Sequence, residues 1–197
     1  LAKPNQMIKQ FPPIILASKS PRRQELLKLM GFDFQVVLRE VDESYPPELM
    51  PSEIAVYISQ KKAKAYDLIV ENEIVITADT IVSLEGNILG KPENEDHAFE
   101  MLSALSGKRH DVITGVSLLK DHKVSSFYEL TEVFFREISA EQIRYYINTC
   151  QPMDKAGAYG IQEWIGLVAV DRINGSYSNV VGLPTHRLYS ELCKLSE

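Results

Sequence analysis

Ile14-Ile15-Leu16-Ala17-Ser18-Lys19-Ser20-Pro21-Arg22-Arg23 is the stretch on which the reading of this chain turns. The apolar run from Ile14 to Ala17 predicts a short buried strand. Ser20 is a good helix N-cap, and Pro21 suits the first helical position. Leu26, Leu27 and Met30 give the helix an apolar face, and Gly31 ends it. Strand, loop and helix in that order form the repeating unit of α/β folds. The loop also has chemical potential. A helix N-terminus presents unpaired N–H groups and a positive dipole end, which suits anions. Ser18, Ser20, Arg22 and Arg23 add hydroxyls and guanidinium forks that match phosphate oxygens. An ordinary capped helix with solvated arginines fits these residues equally well. The glycine-rich P-loop pattern occurs nowhere in the chain.

Outward from this unit, strands and helices alternate. Phe34 to Leu38 reads as a second strand, and residues 42–51, rich in Pro and acids, as loop. Ser52 to about Ile69 reads as a helix, with Ile54 and Ile58 on one face. Ile74 to Thr77 reads as a strand ending at Ala78-Asp79-Thr80; Ile81 to Leu84 continues extended into a turn at Glu85-Gly86-Asn87. Asn94 caps a helix that stops at Gly107. His110–Leu119 and Val124–Glu137 read as a long antiparallel pair. Ser139 and Gln142 form a capping box. Leu167 to Ile173 reads as a strand, Asn174-Gly175 as a turn, and Pro184 opens a last helix. The fold class is therefore α/β, with a mixed, partly antiparallel elongated sheet and flanking helices. A single domain over residues 14–197 follows an N-terminal extension over residues 1–13.

Composition narrows the function. The 197 residues hold 21 Lys+Arg against 27 Asp+Glu, a net charge of −6. Such an acidic chain is a poor non-specific ligand for nucleic acid or anionic membrane. An anionic partner must meet a local cluster of positive charge. Cys150 and Cys193 lack metal-type spacing and are too few for a disulfide framework; they read as thiols in a reducing compartment. No apolar run approaches the ~20 residues of a spanning helix, and the opening lacks the apolar core of a signal peptide. A cytoplasmic protein is expected.

The candidate site residues lie apart in sequence. Asp79, at the end of an apolar strand, stands where α/β sheets place ligands; it suits a divalent metal or an attacking water, or a local turn. Glu43, in an acidic loop, reads alone as a solvated charge. Lys61, Lys62 and Lys64 read as a solvated helix face, with Lys64 also a candidate phosphate contact. Lys91 is held between Gly90 and Pro92 as a placed charge. In Asp154–Gln162, small residues after Lys155 admit close backbone approach to a ligand, and Gln162 can donate and accept at a base edge. Trp164 reads as core or cleft wall. The four histidines, His97, His110, His122 and His186, show no ligand spacing.

Together these motifs resemble the Maf family. The resemblance runs from Ile14 to the last helix, through Leu16–Arg23, Asp42-Glu43, Lys64-Ala65, Ala78-Asp79-Thr80, Gly90-Lys91-Pro92, Leu105-Ser-Gly107, Thr114-Gly-Val116, Asp154–Gln162, Ile173–Tyr177 and Val181–Pro184. It implies two lobes around a cleft, a fold of Maf/ITPase type, and hydrolysis of a nucleoside triphosphate to the monophosphate and pyrophosphate. It implies a divalent cation, Mg2+ or Mn2+, and often a homodimer; Glu43 and Asp79 are the carboxylates expected to bind the metal. Asp79 matches the family's proton acceptor; Ser18, Arg23, Glu43, Lys64 and Lys91 match other active-site positions. Arg22, Thr80 and Gln162 match the positions that mark the branch preferring dTTP and UTP. The alternatives are a pyrophosphatase for modified nucleotides such as 7-methyl-GTP, and a non-catalytic nucleotide-binding regulator of septum formation.

Overall fold

The computed structural model describes residues 11–68 and 71–195. Residues 1–10 of the expected extension lie outside them. Phe11 already packs on the body, its ring 5.1 Å from Phe32.

One seven-stranded sheet runs through the described chain, in the order β2-β1-β3-β5-β6-β7 with β4 added to β3. The strands are β1 (Ile14–Leu16), β2 (Phe34–Val36), β3 (Ile74–Leu84), β4 (Asn87–Leu89), β5 (Arg109–Lys120), β6 (Lys123–Phe135) and β7 (Val170–Asn174). The helices are α1 (Pro21–Leu29), α2 (Pro51–Lys64), α3 (Glu95–Leu105), α4 (Ala140–Cys150), α5 (Trp164–Val168), α6 (Tyr177–Val181) and α7 (Thr185–Leu195). β1 pairs in parallel with β2 and β3; the rest is antiparallel.

Local signals set several boundaries. The Ser20 hydroxyl accepts from the Arg23 N–H at 3.4 Å, as expected of the α1 cap. Ser139 and Gln142 make the reciprocal capping box of α4. Glu85 and Gly86 both take positive φ at the β3–β4 turn, as a tight two-residue hairpin requires.

Three expectations change. β3 does not stop before Asp79 but runs unbroken from Ile74 to Leu84, because β5 pairs with it from Val75 to Ser83. The helix begun at Ser52 ends at Lys64 rather than near Ile69. The strand expected over Leu167–Ile173 divides into α5 and β7. β6 pairs with β7 as far as Phe135, opposite Val170 across a bulge, one more hydrogen bond runs from Arg136 N–H to Ala169 O at 2.9 Å, and residues 164–168 form a helical turn instead.

β3 organises the site. Its Ile74, Ile76 and Ala78 pack with α1 and α7 in one core; its Val82 and Leu84 pack with α3, α4 and α5 in another. These are the two largest of the buried apolar clusters among the described residues. On the opposite face α2 lies across the sheet, with Ala55, Ile58, Ser59 and Ala63 buried. One edge of β3 is filled by β5. The other pairs with β1 over Ile74–Ile76 and with β4 over Val82–Leu84. Between them, residues 77–81 form a gap in the sheet. The C-terminal ends of β1 and β4 both point into it.

Candidate active site

A cleft of about 1010 Å³ opens on that gap. A split sheet edge brings both faces of β3 within reach, so neighbouring residues that point oppositely can line one cavity. Asp79 turns toward α2, and Thr80 toward α1 and α6. From β1 comes the Ser18–Arg23 turn; from β4 come Gly90 and Lys91. The segment Asp154–Gln162 closes one side, tied to the β4 exit by Gly157 N–H donating to Gly90 O at 3.0 Å. Ser18, Ser20, Arg22, Arg23, Glu43, Asp79, Thr80, Lys91 and Gln162, distant in sequence, all line the cleft. Its charged lining comprises seven basic and five acidic side chains, so the cavity is locally positive in a chain of net −6.

Lys64 is the exception and a correction. It is exposed and does not line the cleft; Lys62 does. Residues two apart on an α-helix sit about 200° apart around its axis, so only one can face the sheet. Lys62 follows Ile58 and Ile54 at four-residue intervals, along the buried stripe. That spacing was the available signal, hidden by the run of three lysines. The Lys62 ammonium donates to Asp79 Oδ1 at 2.7 Å and lies 2.9 Å from Glu43 Oε1. Asp79 and Lys62 keep only 15% and 16% of their side chains exposed, which shields the pair from solvent screening. Burial pushes the Glu43 carboxyl up, but the Lys62 contact outweighs it and holds the group below its usual range. One residue earlier on α2, Lys61 meets Asp42 at 2.8 Å, so two successive lysines pin the acidic loop.

Arg23 is used differently from Arg22. Its Nε donates to Gly182 O at 2.7 Å, Nη1 to Ala78 O at 2.8 Å and Nη2 to Thr80 Oγ1 at 2.8 Å. Ala78 O belongs to the unpaired edge of β3, so Arg23 supplies the donor that a neighbouring strand would have supplied. Burial lowers its pKa, opposed chiefly by the Asp79 charge. Most of its fork is spent on holding β3, α1 and the end of α6 together. Arg22 instead reaches across the cleft mouth, with Nη1 at 3.3 Å from Asp154 Oδ2.

Thr80 shares its hydroxyl with Thr114 at 3.0 Å as well as with Arg23, so its rotamer is held from two sides. Trp164 stacks edge-on with Tyr145 at 5.0 Å and packs on the α3–α5 core rather than lining the cleft. Among the described residues no three His, Cys, Asp or Glu side chains converge as a metal cage. Two carboxylates, Asp79 and Glu43, do converge around one positive centre. Hard carboxylate oxygens in a pair suit Mg2+ or Mn2+, which is commonly held by one or two carboxylates plus substrate phosphates. No helix among the described residues is long and apolar enough to cross a membrane.

A family model described as Maf-like protein matches residues 13–195. A protein of Bacteroides thetaiotaomicron described as dTTP/UTP pyrophosphatase is 54% identical over 184 residues, covering 92% of this chain and 95% of that protein. A relative from Phocaeicola vulgatus with the same description is 55% identical over 184 residues, with the same coverage. Among solved structures, a HAM1 protein from Coxiella burnetii is similar, with a TM-score of 0.50 and 14% identity over 92% of this chain and 98% of that one. At that identity the likeness concerns fold alone, and it agrees with the mixed sheet described above.

Proposed function

Because the chain belongs to the Maf family, we propose that it is a nucleoside triphosphate pyrophosphatase, hydrolysing the α–β phosphoanhydride of dTTP and UTP to the monophosphate and pyrophosphate. The relatives described as dTTP/UTP pyrophosphatase, about half identical over nearly their whole length, support the activity. The observation that carries the reading is the Asp79–Lys62–Glu43 cluster, set opposite the Ser18–Arg23 turn in a locally positive cleft.

The chemistry follows from charge. Phosphoanhydride cleavage is governed by positioning and by stabilisation of charge on phosphate oxygens. In the proposal Arg22, Lys91, Ser18 and Ser20 hold the triphosphate, and the α1 N-terminus contributes backbone N–H groups. Asp79, mid-strand and rigid, accepts the proton of the attacking water. The water oxygen bonds to phosphorus, and the bridging oxygen leaves with pyrophosphate. Lys62, donating to Asp79 Oδ1 at 2.7 Å, keeps that carboxylate aimed. Arg23 acts on the reaction by holding Thr80 and the β3 edge. Glu43 and Asp79 would hold a divalent cation, which when bound offsets charge on the phosphate oxygens. Arg22, Thr80 and Gln162 would favour a pyrimidine with a keto group at position 4. A homodimer in the cytoplasm belongs to the same proposal; light scattering of the purified chain tests the assembly.

The test is a panel of dTTP, UTP, CTP and 7-methyl-GTP with Mg2+ or Mn2+, resolving pyrophosphate from orthophosphate. Pyrophosphate and monophosphate from dTTP and UTP are expected. Orthophosphate as the primary product would overturn the α–β assignment, and binding without turnover would favour a regulator.

A further inference from the structure

Three charged residues at or behind the cleft wall, Asp154, Lys155 and Glu163, are given no part in the reaction above. Lys155 is 7% exposed. Its ammonium donates to Asp154 Oδ1 at 2.7 Å and lies 3.1 Å from Glu163 Oε1. The second Asp154 oxygen faces Arg22 at 3.3 Å. The second Glu163 oxygen accepts from the Tyr146 hydroxyl, and that hydroxyl oxygen accepts from Gly160 N–H at 3.1 Å. Charges thus alternate from α1 through Arg22, Asp154, Lys155 and Glu163 to α4. A buried ammonium is costly unless well paired, so such a chain is not a passive surface feature.

The cluster flanks the segment that carries Gln162, whose backbone is closely packed at Gly160 and Ile161 while the Gln162 side chain is exposed to the cleft. A Cβ on Gly160 would lie 2.8 Å from Gln162 Nε2 and 2.9 Å from Glu163 Cδ, so the Gln162 amide lies close against a bare Cα. A Cβ on Gly166 of α5 would lie 1.7 Å from Ile161 O, so the short helix rests directly on the segment's backbone. Glu163 does not itself line the cleft.

Rigidity matters here because of the chemistry of an amide. A glutamine carries a donor on one side and an acceptor on the other, in nearly the same shape. If it can turn end over end, it serves a keto pyrimidine and an amino pyrimidine alike. Only a held amide discriminates. We propose that Glu163, clamped by Lys155 and Tyr146, is a positioning residue that holds Gln162 in one orientation and so sets the preference for keto over amino pyrimidines. This inference rests on the reading that Gln162 meets the base.

The experiment compares kcat/KM for UTP and CTP in the full chain and in Gln162→Ala, Glu163→Gln and Tyr146→Phe. Glu163→Gln keeps an acceptor for Tyr146 and removes the charge facing Lys155. It should lower the UTP:CTP ratio about tenfold, the scale of one well-placed hydrogen bond, with kcat for UTP within about threefold of the parent. Gln162→Ala should lower the ratio similarly, and the double variant no further. Tyr146→Phe, which deletes one hydroxyl and leaves the ion pair, should shift the ratio in the same direction even if Glu163→Gln fails to fold. A purely structural role would lower Tm and leave the ratio unchanged. If Gln162→Ala collapses the ratio while Glu163→Gln and Tyr146→Phe keep it, the positioning role is overturned and the base reading stands. If Gln162→Ala leaves the ratio unchanged, the base reading fails and the positioning role with it.

Discussion

Adding one methyl group at Gly115 probes how the site is assembled, from the strand behind Asp79 rather than from the cleft lining. Gly115 is the partner of Asp79 in the β3–β5 ladder, and α2 crosses the sheet at that point. A Cβ there would stand 2.3 Å from the carbonyl carbon and oxygen of Ala55 and 2.6 Å from the nitrogen of Val56. All three are helix backbone atoms and cannot rotate away. Favourable carbon contacts lie at about 3.5–4.0 Å, so α2 must retreat by roughly 1 Å or β5 must sink by as much. Gly115 is not among the glycines with positive φ, so the cost is contact rather than backbone strain. Overpacking of this kind costs about 1–3 kcal/mol. α2 also carries Lys62, whose Nζ sits 2.7 Å from Asp79 Oδ1. A displacement of roughly 1 Å in a catalytic constellation can cost about 100-fold in rate; extension of the flexible lysine stem recovers part of it. Gly115→Ala should therefore unfold at lower urea and release pyrophosphate from dTTP roughly 10- to 100-fold more slowly. An unchanged urea midpoint with full turnover would refute the claim that this close crossing holds Lys62 on Asp79.

Other perturbations separate the parts. Asp79→Asn should lose hydrolysis by orders of magnitude, on the ~10²–10⁴-fold scale of a general base, with far-UV circular dichroism unchanged; full turnover would remove Asp79 from the proton-acceptor role. Lys62→Met should abolish most activity, whereas Lys64→Met should keep it, because Lys64 is exposed outside the cleft; equal losses in steady-state assays would contradict the geometry. Arg23→Lys cannot reproduce a fork that reaches Gly182, Ala78 and Thr80, and orphaned acceptors should cost about 2 kcal/mol or more in urea unfolding. His110 is held neutral by burial, its pKa pushed down to about 4 from 6.5. The unfolded chain binds that proton first, so stability is full above pH 6.5 and falls toward pH 4, by about 1.4 kcal/mol per unit. Between pH 7 and 5 the urea-derived stability should drop by about 2 kcal/mol, and His110→Gln should flatten that slope.

Much of the site was legible in the chain because the features involved are local. The Ser20 cap with Pro21, the Ser139–Gln142 box and the Glu85–Gly86 turn depend on neighbouring residues, and each sits where its residue types predicted. The motif pattern also identified most of the residues that meet in the cleft. The choice of lysine went wrong for a physical reason: a run of three hides which one shares the stripe of Ile54 and Ile58, and helix phase relative to the sheet decides it. The ion pair of Glu163 with Lys155 and its hydrogen bond from Tyr146 left no sequence signal, since they join α4, the start of α5 and the 154–162 segment through side chains with no shared spacing.

Sequence by itself determined the alternation of strands and helices, the caps and turns, the acidic balance that disfavours non-specific nucleic-acid or membrane binding, and the family. Those follow from periodicity, from short-range hydrogen bonding and from composition. The tertiary structure alone decided that β3 runs through Asp79, that β1 and β4 leave a gap on one edge of it, and that α2 brings Lys62 rather than Lys64 to the carboxylates. Each depends on pairing or packing between segments far apart in the chain. No local preference encodes a strand's missing neighbour, and that missing neighbour is the opening of the cleft.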